Sequence, residues 1–439
     1  MPTPNPPQSP PYIWQHSAWP KLTFDAAVLA PALDQARLEQ GRLLGLLGAI
    51  GLEQANAVQR ELWVQEALAT AAIEGEQLNL ESLRSSVAHR LSLADAPGPD
   101  RSVDGLVQVM QDALANHNAA LDLDRLCRWQ SALFPGGTSG IVRIAVGRVR
   151  DHADAMQIVS GPQGHETVHY EAPPSAQVAA HMDKFLAWFE RTRPIGSVSI
   201  VNGIARAALV HLWFESIHPF EDGNGRLGRA LADMALAQDM HAQDPQANPA
   251  LVRVYGLARQ MLKTRSAYYD ALNHTQRLRG IAPEAIAIDA TPWLQWFVQA
   301  FTRACVASQA VVMDATEKAQ FRLRAAQCHI NPRQSKVLER LLEAGHVGSG
   351  GGFLISPPGR PKGKRASLGG SEPHAVGSGE ALSSMTTDKY AKITGISKAT
   401  AARDLADLLT NGLLRVEGVG KATRYAVNVP GWEQPVLKP

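Results

Sequence analysis

The chain has 439 residues, of which 45% are apolar and 19% charged, with a net charge of +2. This excludes a disordered or fibrous chain, suffices for about three domains of ~100–200 residues, and carries no charge signal for nucleic acid or anionic membranes. The longest near-continuous apolar stretch, Leu43–Leu52, is ten residues against the ~20 a bilayer span needs, so no membrane partner is expected.

The first eleven residues hold six prolines, no positive charge and no apolar core, unlike a signal peptide. Residues 1–30 read as a proline-rich extension, with Trp14, Trp19 and Phe24 placed to pin it onto a domain. Residues 31–320 read mostly as helices. Leu106, Val107, Met110 and Leu114 keep helical spacing, as do Val178, Met182, Phe185 and Phe189. Ile200–Ile217 is apolar nearly all round, the pattern of a buried central helix. Met156–Tyr170 carries two short β-branched runs flanking Gly161, Pro162 and Gly164, which predicts a hairpin projecting from the helical domain. The cysteines Cys127, Cys305 and Cys328 form no CxxC pair, so a reducing, cytoplasmic setting is expected.

Residues 321–439 predict a winged helix-turn-helix. Helices are expected at 331–344, at 387–393 and from the Ser397 cap to Asn411-Gly412, followed by two strands around Gly418-Val419-Gly420. A flexible insertion at 346–384 interrupts it: His346–Glu380 holds ten glycines, five serines and four prolines, with a basic knot at Arg360, Lys362, Lys364 and Arg365. Lys398, Thr400 and Arg403 on the third helix and Arg415, Lys421 and Arg424 on the wing make a DNA-phosphate surface, which Asp404 and Asp407 would oppose. Protein docking or dimerisation is the other use of such a module, and a homodimer is left open.

His218–Arg229, HPFEDGNGRLGR, concentrates the chemistry. Pro219 ends the buried helix at His218. Asp222-Gly223 and Asn224-Gly225 are turn dipeptides whose glycines allow close backbone approach. A following helix N-terminus offers free N–H groups and a positive dipole end suited to phosphate. Arg226 and Arg229 share one face of that helix. Asp222 is a hard oxygen ligand of the kind Mg²⁺ takes beside phosphates. His218 has the ordinary pKa range for taking a hydroxyl proton near neutral pH. The alternative is a plain interhelical turn; the whole constellation points to a nucleotide-dependent transferase.

The stretch fills every defined position of the signature HPFxDGNGRxxR and resembles the Fic family. The resemblance implies a mainly α fold, a Fic helical domain with a β-hairpin flap, and AMP transfer from ATP, with Mg²⁺, to a Ser, Thr or Tyr hydroxyl of a target protein. His218 would then be the general base and Asp222 the Mg²⁺ ligand. Asn224 with the N–H groups of Gly223 and Gly225 would hold the α- and β-phosphates. Arg226 would stabilise the leaving pyrophosphate, Arg229 would grip the γ-phosphate, and Phe220 would anchor the loop. Thr70…Glu74-Gly75, on a helix near 62–75, resembles the family's inhibitory motif [S/T]xxxE[G/N]. This implies that Glu74 pairs with Arg229 and blocks productive ATP binding; the same glutamate removes AMP hydrolytically in some relatives. The hairpin stands where the target-docking flap lies, with Ile158 and Val159 as its residues to test. Tyr268 and Leu272 resemble walls of the adenine pocket, with core packing as the alternative, while His211 and His274 read as structural. De-AMPylation, another donor such as UTP, and a nucleotide-sensing DNA-binding regulator remain alternative functions.

Overall fold

The computed structural model describes residues 12–90, 100–160, 167–194, 202–278, 281–282, 284–344, 384–418, 420–430 and 432. The proline-rich residues 1–11, the hairpin turn with Gly161, Pro162 and Gly164, the basic knot in the insertion, Val419 and the side chain of Lys421 lie outside the described residues. Helix dominates, as expected: fourteen α-helices stand against four two-stranded sheets among the described residues. Two compact units divide the chain at Gln309/Ala310. None of the described helices is long and apolar enough to cross a membrane.

In the first unit β1 (Leu22–Thr23) precedes α1 (Ala26–Ala49), whose Asp25 cap accepts from the Ala27 and Val28 N–H groups. Then come α2 (Leu52–Ile73), α3 (Leu80–Arg90), α4 (Arg101–Ala115) and α5 (Leu123–Leu133). Short strands β2 (Thr138–Ser139) and β3 (Val142–Arg143) form one antiparallel pair, and β4 (Gln157–Ser160) and β5 (Thr167–Glu171) another. The β4–β5 pair is the hairpin predicted from the two β-branched runs. Its register shifts between Ile158 and Val159, a bulge that falls on the two residues singled out from sequence.

The centre of the unit is α7 (Gly203–Ile217), buried at every position and packed along α8 (Asn224–Gln243), with α6 (Ser175–Arg191) against its other side. Val178, Met182, Phe185 and Phe189 form the buried stripe of α6, and Leu106, Val107, Met110 and Leu114 are buried on α4, as their spacing predicts. Fully burying such a side chain contributes ~1.5–3 kcal/mol, so this packing fixes where α7 ends and α8 begins. The two polar side chains Arg206 and Gln238 at the core are tied together: Arg206 donates to Gln238 Oε1, Thr192 Oγ1 and the Phe189 carbonyl. Helices α9 (Leu257–Lys263) and α10 (Arg265–Gln276) follow. Strand β6 (Ile288–Asp289) then pairs in parallel with β1 and brings the N-terminal segment in. Trp14 and Trp19 do pin that segment: Trp14 Nε1 donates to the Glu171 carbonyl and Trp19 Nε1 to His181.

Helix α11 (Thr291–Ala326) contains the division between units. The second unit then carries α12 (Pro332–Ala344), α13 (Thr387–Thr394), α14 (Lys398–Thr410) and the antiparallel pair β7 (Leu414–Glu417) and β8 (Arg424–Val427). Three helices and a strand pair follow in the predicted order, around a core of Val337, Leu341, Tyr390, Leu405 and Leu414. Two expectations about its surface are corrected. Asp404 is buried and accepts from Tyr390, Asn331 and Arg333, so it cannot oppose DNA from the outer face. Arg415 donates to the Val427 and Trp432 carbonyls and to Glu417, which makes it an internal brace. Lys398 pairs with Asp388, and Arg403 and Arg424 are exposed.

Candidate active site

His218 terminates α7 as predicted, in the left-handed region at φ 51°, with its N–H bonded to the Phe214 carbonyl. A non-glycine residue tolerates this conformation only when its surroundings impose it. Arg150 supplies the constraint. It is buried, and its guanidinium donates to the carbonyls of His218 (2.8 Å), Ile217 (3.2 Å) and Pro173 (2.5 Å) and to Ser175 Oγ (3.1 Å). Its own N–H bonds the Pro219 carbonyl. Burial holds Arg150 down to about 10, yet it remains a cation at neutral pH. No sequence pattern marked it: it stands in RVRD, far from the motif.

The loop from His218 to Gly223 is laced by Asn224. The Asn224 side-chain amide donates to the Phe220 carbonyl and its oxygen accepts from the Phe220 N–H, with Phe220 itself wholly buried. Asn224 was expected to hold phosphate; its side chain closes the loop instead, because both its donor and its acceptor face Phe220. Gly223 sits at φ +90°, and its N–H turns back to Asp222 Oδ1 rather than outward. Asp222 also accepts from Ser139 Oγ of β2 and, at 3.3 Å, from Arg226.

The imidazole of His218 has Nδ1 buried, 3.7 Å from Glu215 Oε2 one turn earlier on α7. Burial, with the Arg150 cation adding to it, pushes His218 down to about 4, below the near-neutral range its residue type predicts. Glu215 moves the other way, up to about 8, because burial and the nearby Glu74 carboxylate disfavour its charge. Gly228 makes room for it: a Cβ there would stand 2.6 Å from Glu215 Oε1.

The two arginines on the first turn of α8 are both buried and both occupied. Arg229 donates through Nε to Thr70 Oγ1 (2.6 Å) and through Nη2 to the Thr70 carbonyl (2.9 Å) and Glu74 Oε1 (2.7 Å). Burial opposes its charge, but Glu74 and the hydrogen bonds hold the guanidinium above its ordinary range. Arg226 donates through Nη1 to Glu76 Oε1 at 2.7 Å and lies 4.8 Å from the ring centre of Phe134. Glu74 caps the C-terminus of α2, and Gly75 at φ +83° turns the chain so that Glu74 and Glu76 reach different arginines. Gly225 is required for this approach, since a Cβ there would stand 2.2 Å from Glu74 Oε1.

Tyr268 and Leu272 are 2% and 6% exposed, and the Tyr268 hydroxyl meets His211 Nε2 at 2.9 Å. Both are thus packed in the interior, beside the Arg229 side of the site. Half-buried Tyr269, beside Glu74 and bonded to the Ile73 carbonyl, borders the site. The flap is rooted next to His218, where Tyr170 of β5 donates to the Ser216 carbonyl at 2.7 Å. Arg277 donates to the Val168 and His169 carbonyls and so ties β5 to α10.

Residues 120–236 match the Fic/DOC family, so the chain carries a Fic domain. Residues 12–93, which include Glu74, match a domain of unknown function, DUF4172. The family match is narrower than the helical stretch 31–320 read from the sequence. The chain is 27% identical over 220 residues to a protein adenylyltransferase Fic of Nematostella vectensis, covering 49% of this chain and 43% of that relative. It is 27% identical over 213 residues to one of Drosophila erecta, covering 46% and 39%. The matched region thus spans less than half the length of these relatives. A Fic family protein from Desulfovibrio desulfuricans G20 aligns with 92% of this chain and 98% of its own, at 18% identity and a TM-score of 0.45.

Proposed function

We propose that this protein transfers AMP from ATP to a Ser, Thr or Tyr hydroxyl of a protein, and that Glu74 holds it in a closed resting state. The observation that carries the reading is the loop itself. His218, Asp222, Arg226 and Arg229 lie on one short loop and the helix start that follows it, and the motif that orders them is complete. The relatives named protein adenylyltransferase support AMP as the transferred group.

His218 is unprotonated at neutral pH and takes the proton of the attacking hydroxyl. That oxygen bonds to the α-phosphorus, the bond to the β-phosphate oxygen breaks, and pyrophosphate leaves. The N–H groups opening α8 have no intrahelical acceptors and face developing phosphate charge, with Arg226 beside them. Mg²⁺ fits the donors present: Asp222 and Ser139 offer hard oxygens, and no cluster of three or more acidic, His or Cys ligands occurs among the described residues. Such a site suits an ion held by one carboxylate and substrate phosphates, where it would neutralise phosphate charge. The β4 strand offers an edge to an extended target segment, with β5 anchored by Arg277 and Tyr170.

The Glu74–Arg229 pair supports the closed state. A carboxylate bonded to the guanidinium that would take the γ-phosphate both neutralises it and repels the triphosphate. The experiment is intact-mass measurement after incubating the protein with Mg²⁺ and each nucleoside triphosphate in turn. A gain of adenylate mass from ATP alone is expected. A uridylate or phosphate gain would reassign the donor, and no gain from any nucleotide, in Glu74→Gly as well, would overturn the reading.

A further inference from the structure

The α2–α3 connection presents two carboxylates to the motif arginines, and only one belongs to the inhibitory pattern read from sequence. We infer that Glu76 is a second inhibitory residue, closing Arg226 as Glu74 closes Arg229. The inference rests on the proposed reading in one respect, that Arg226 meets nucleotide phosphate.

The geometry separates the two pairs. Arg229 is reached by Glu74 and Thr70, Arg226 by Glu76, each ion pair at 2.7 Å. The arginine side chains are only 4% and 5% exposed, whereas those of Glu76 and Glu74 are 39% and 29% exposed. The acids therefore reach inward from a surface segment to cover cations that are already built into the core. Two acids flanking one left-handed glycine meet two arginines one helical turn apart, and backbone bonds from Gly75 and Glu76 to Ala72 and Ala71 fix that spacing.

An exposed ion pair contributes little to stability and by itself carries no functional reading. Glu76 differs because of its other neighbours. Partial burial, and after it the nearby Asp222 and Glu74 carboxylates, disfavour its charge, and Arg226, bonded to it at 2.7 Å, opposes them. If Arg226 turns to a phosphate, Glu76 is left facing two carboxylates and a polyanion. Docking of Glu76 and binding of the triphosphate thus compete for the same guanidinium. One consequence is that removing Glu74 alone leaves half of the closure in place. Another is that natural opening must lift the whole connection, residues 74–79, rather than rotate one side chain.

The test compares the full-length parent, Glu74→Gly, Glu76→Gln and the double variant. Calorimetry gives the affinity of each for ATP with Mg²⁺, and AMP incorporation is followed as a function of ATP. Glu76→Gln keeps the shape and removes the charge; Glu76→Asp keeps the charge and tests rescue. We expect Glu76→Gln to tighten ATP binding roughly 3- to 10-fold in the Glu74→Gly background, with Glu76→Asp intermediate. Unchanged ATP affinity in the double variant relative to Glu74→Gly, with the fold intact by circular dichroism, would overturn the role of Glu76. Tighter ATP binding without any AMP incorporation would instead uphold Glu76 and overturn the transfer reaction.

Discussion

The α7–α8 loop and the α2–α3 connection meet at the same two arginines, but they depend on the rest of the chain in opposite ways. The loop is contiguous: within twelve residues it brings its own histidine, carboxylate, turn and helix start. The connection has no chemistry by itself. Thr70, Glu74 and Glu76 acquire a role only because packing sets α2 against the first turn of α8. A site written in one stretch carries its reacting groups together, even where a distant residue such as Arg150 braces it, whereas a closure written across two distant stretches can be released by moving one of them. On this account, catalysis and restraint are separable by mutation.

Loss of the base should have the largest effect. His218→Ala is expected to lower AMP transfer by ~10²–10⁴-fold while ATP binding persists, since the arginines and the α8 N-terminus remain. Single-turnover labelling with a parallel binding measurement checks it, and equal loss of both would show that the loop had collapsed. Next comes restraint. Glu74→Gly should raise transfer by up to ~10²-fold, the scale of correcting a misplaced reacting group, while Arg229→Ala should not mimic it because the phosphate grip is lost as well. Initial rates at equal protein and ATP concentration decide this.

Arg150 tests whether the loop is as self-sufficient as its sequence suggests. Arg150→Met strips a charged donor from three carbonyls and a hydroxyl, and should cost on the order of 3 kcal/mol of stability. It should also lower the transfer rate more than it weakens ATP binding, because His218 loses its enforced backbone conformation. Thermal melts and a rate-versus-affinity comparison read the two effects. A variant with normal melting and normal rate would remove Arg150 from the site.

Why Arg150 was invisible in the sequence, while His218 was not, follows from what each contact uses. The Asp222-Gly223 turn, the helix stop at Pro219 and the apolar run of α7 are local signals that the structure places where spacing predicts, whereas Asn224-Gly225, which also reads as a turn, instead opens α8. Arg150, Ser139 and Glu76 act through backbone carbonyls or single side chains brought in by tertiary packing, which leave no periodicity. Tyr268 is ambiguous for the converse reason. A tyrosine at helical spacing suits a pocket wall and a core equally well, and here the partner His211 draws it inward. The role of Asn224 was misplaced because sequence cannot tell which of two nearby backbone groups an amide will lace.

A further prediction concerns Glu215, read as a pH dependence rather than as a rate. Its folded pKa, about 8, lies above its ordinary 4.5, so the folded chain keeps a proton that the unfolded chain releases. The stability tied to that proton is fully present below pH 4.5 and is lost as pH rises through 8. Glu215→Gln should therefore gain in melting temperature relative to the parent on going from pH 5 to pH 8. A pH-independent difference between the two would contradict a carboxyl kept neutral by burial.

The most direct measurement of the central claim is intact mass on two proteins, Glu74→Gly and the double variant Glu74→Gly/His218→Ala, each incubated with Mg²⁺ and ATP. A gain of adenylate mass is expected in the first, above that of the parent, and none in the second. Adenylate on both proteins would contradict the assignment of His218, and adenylate on neither would contradict the transfer itself.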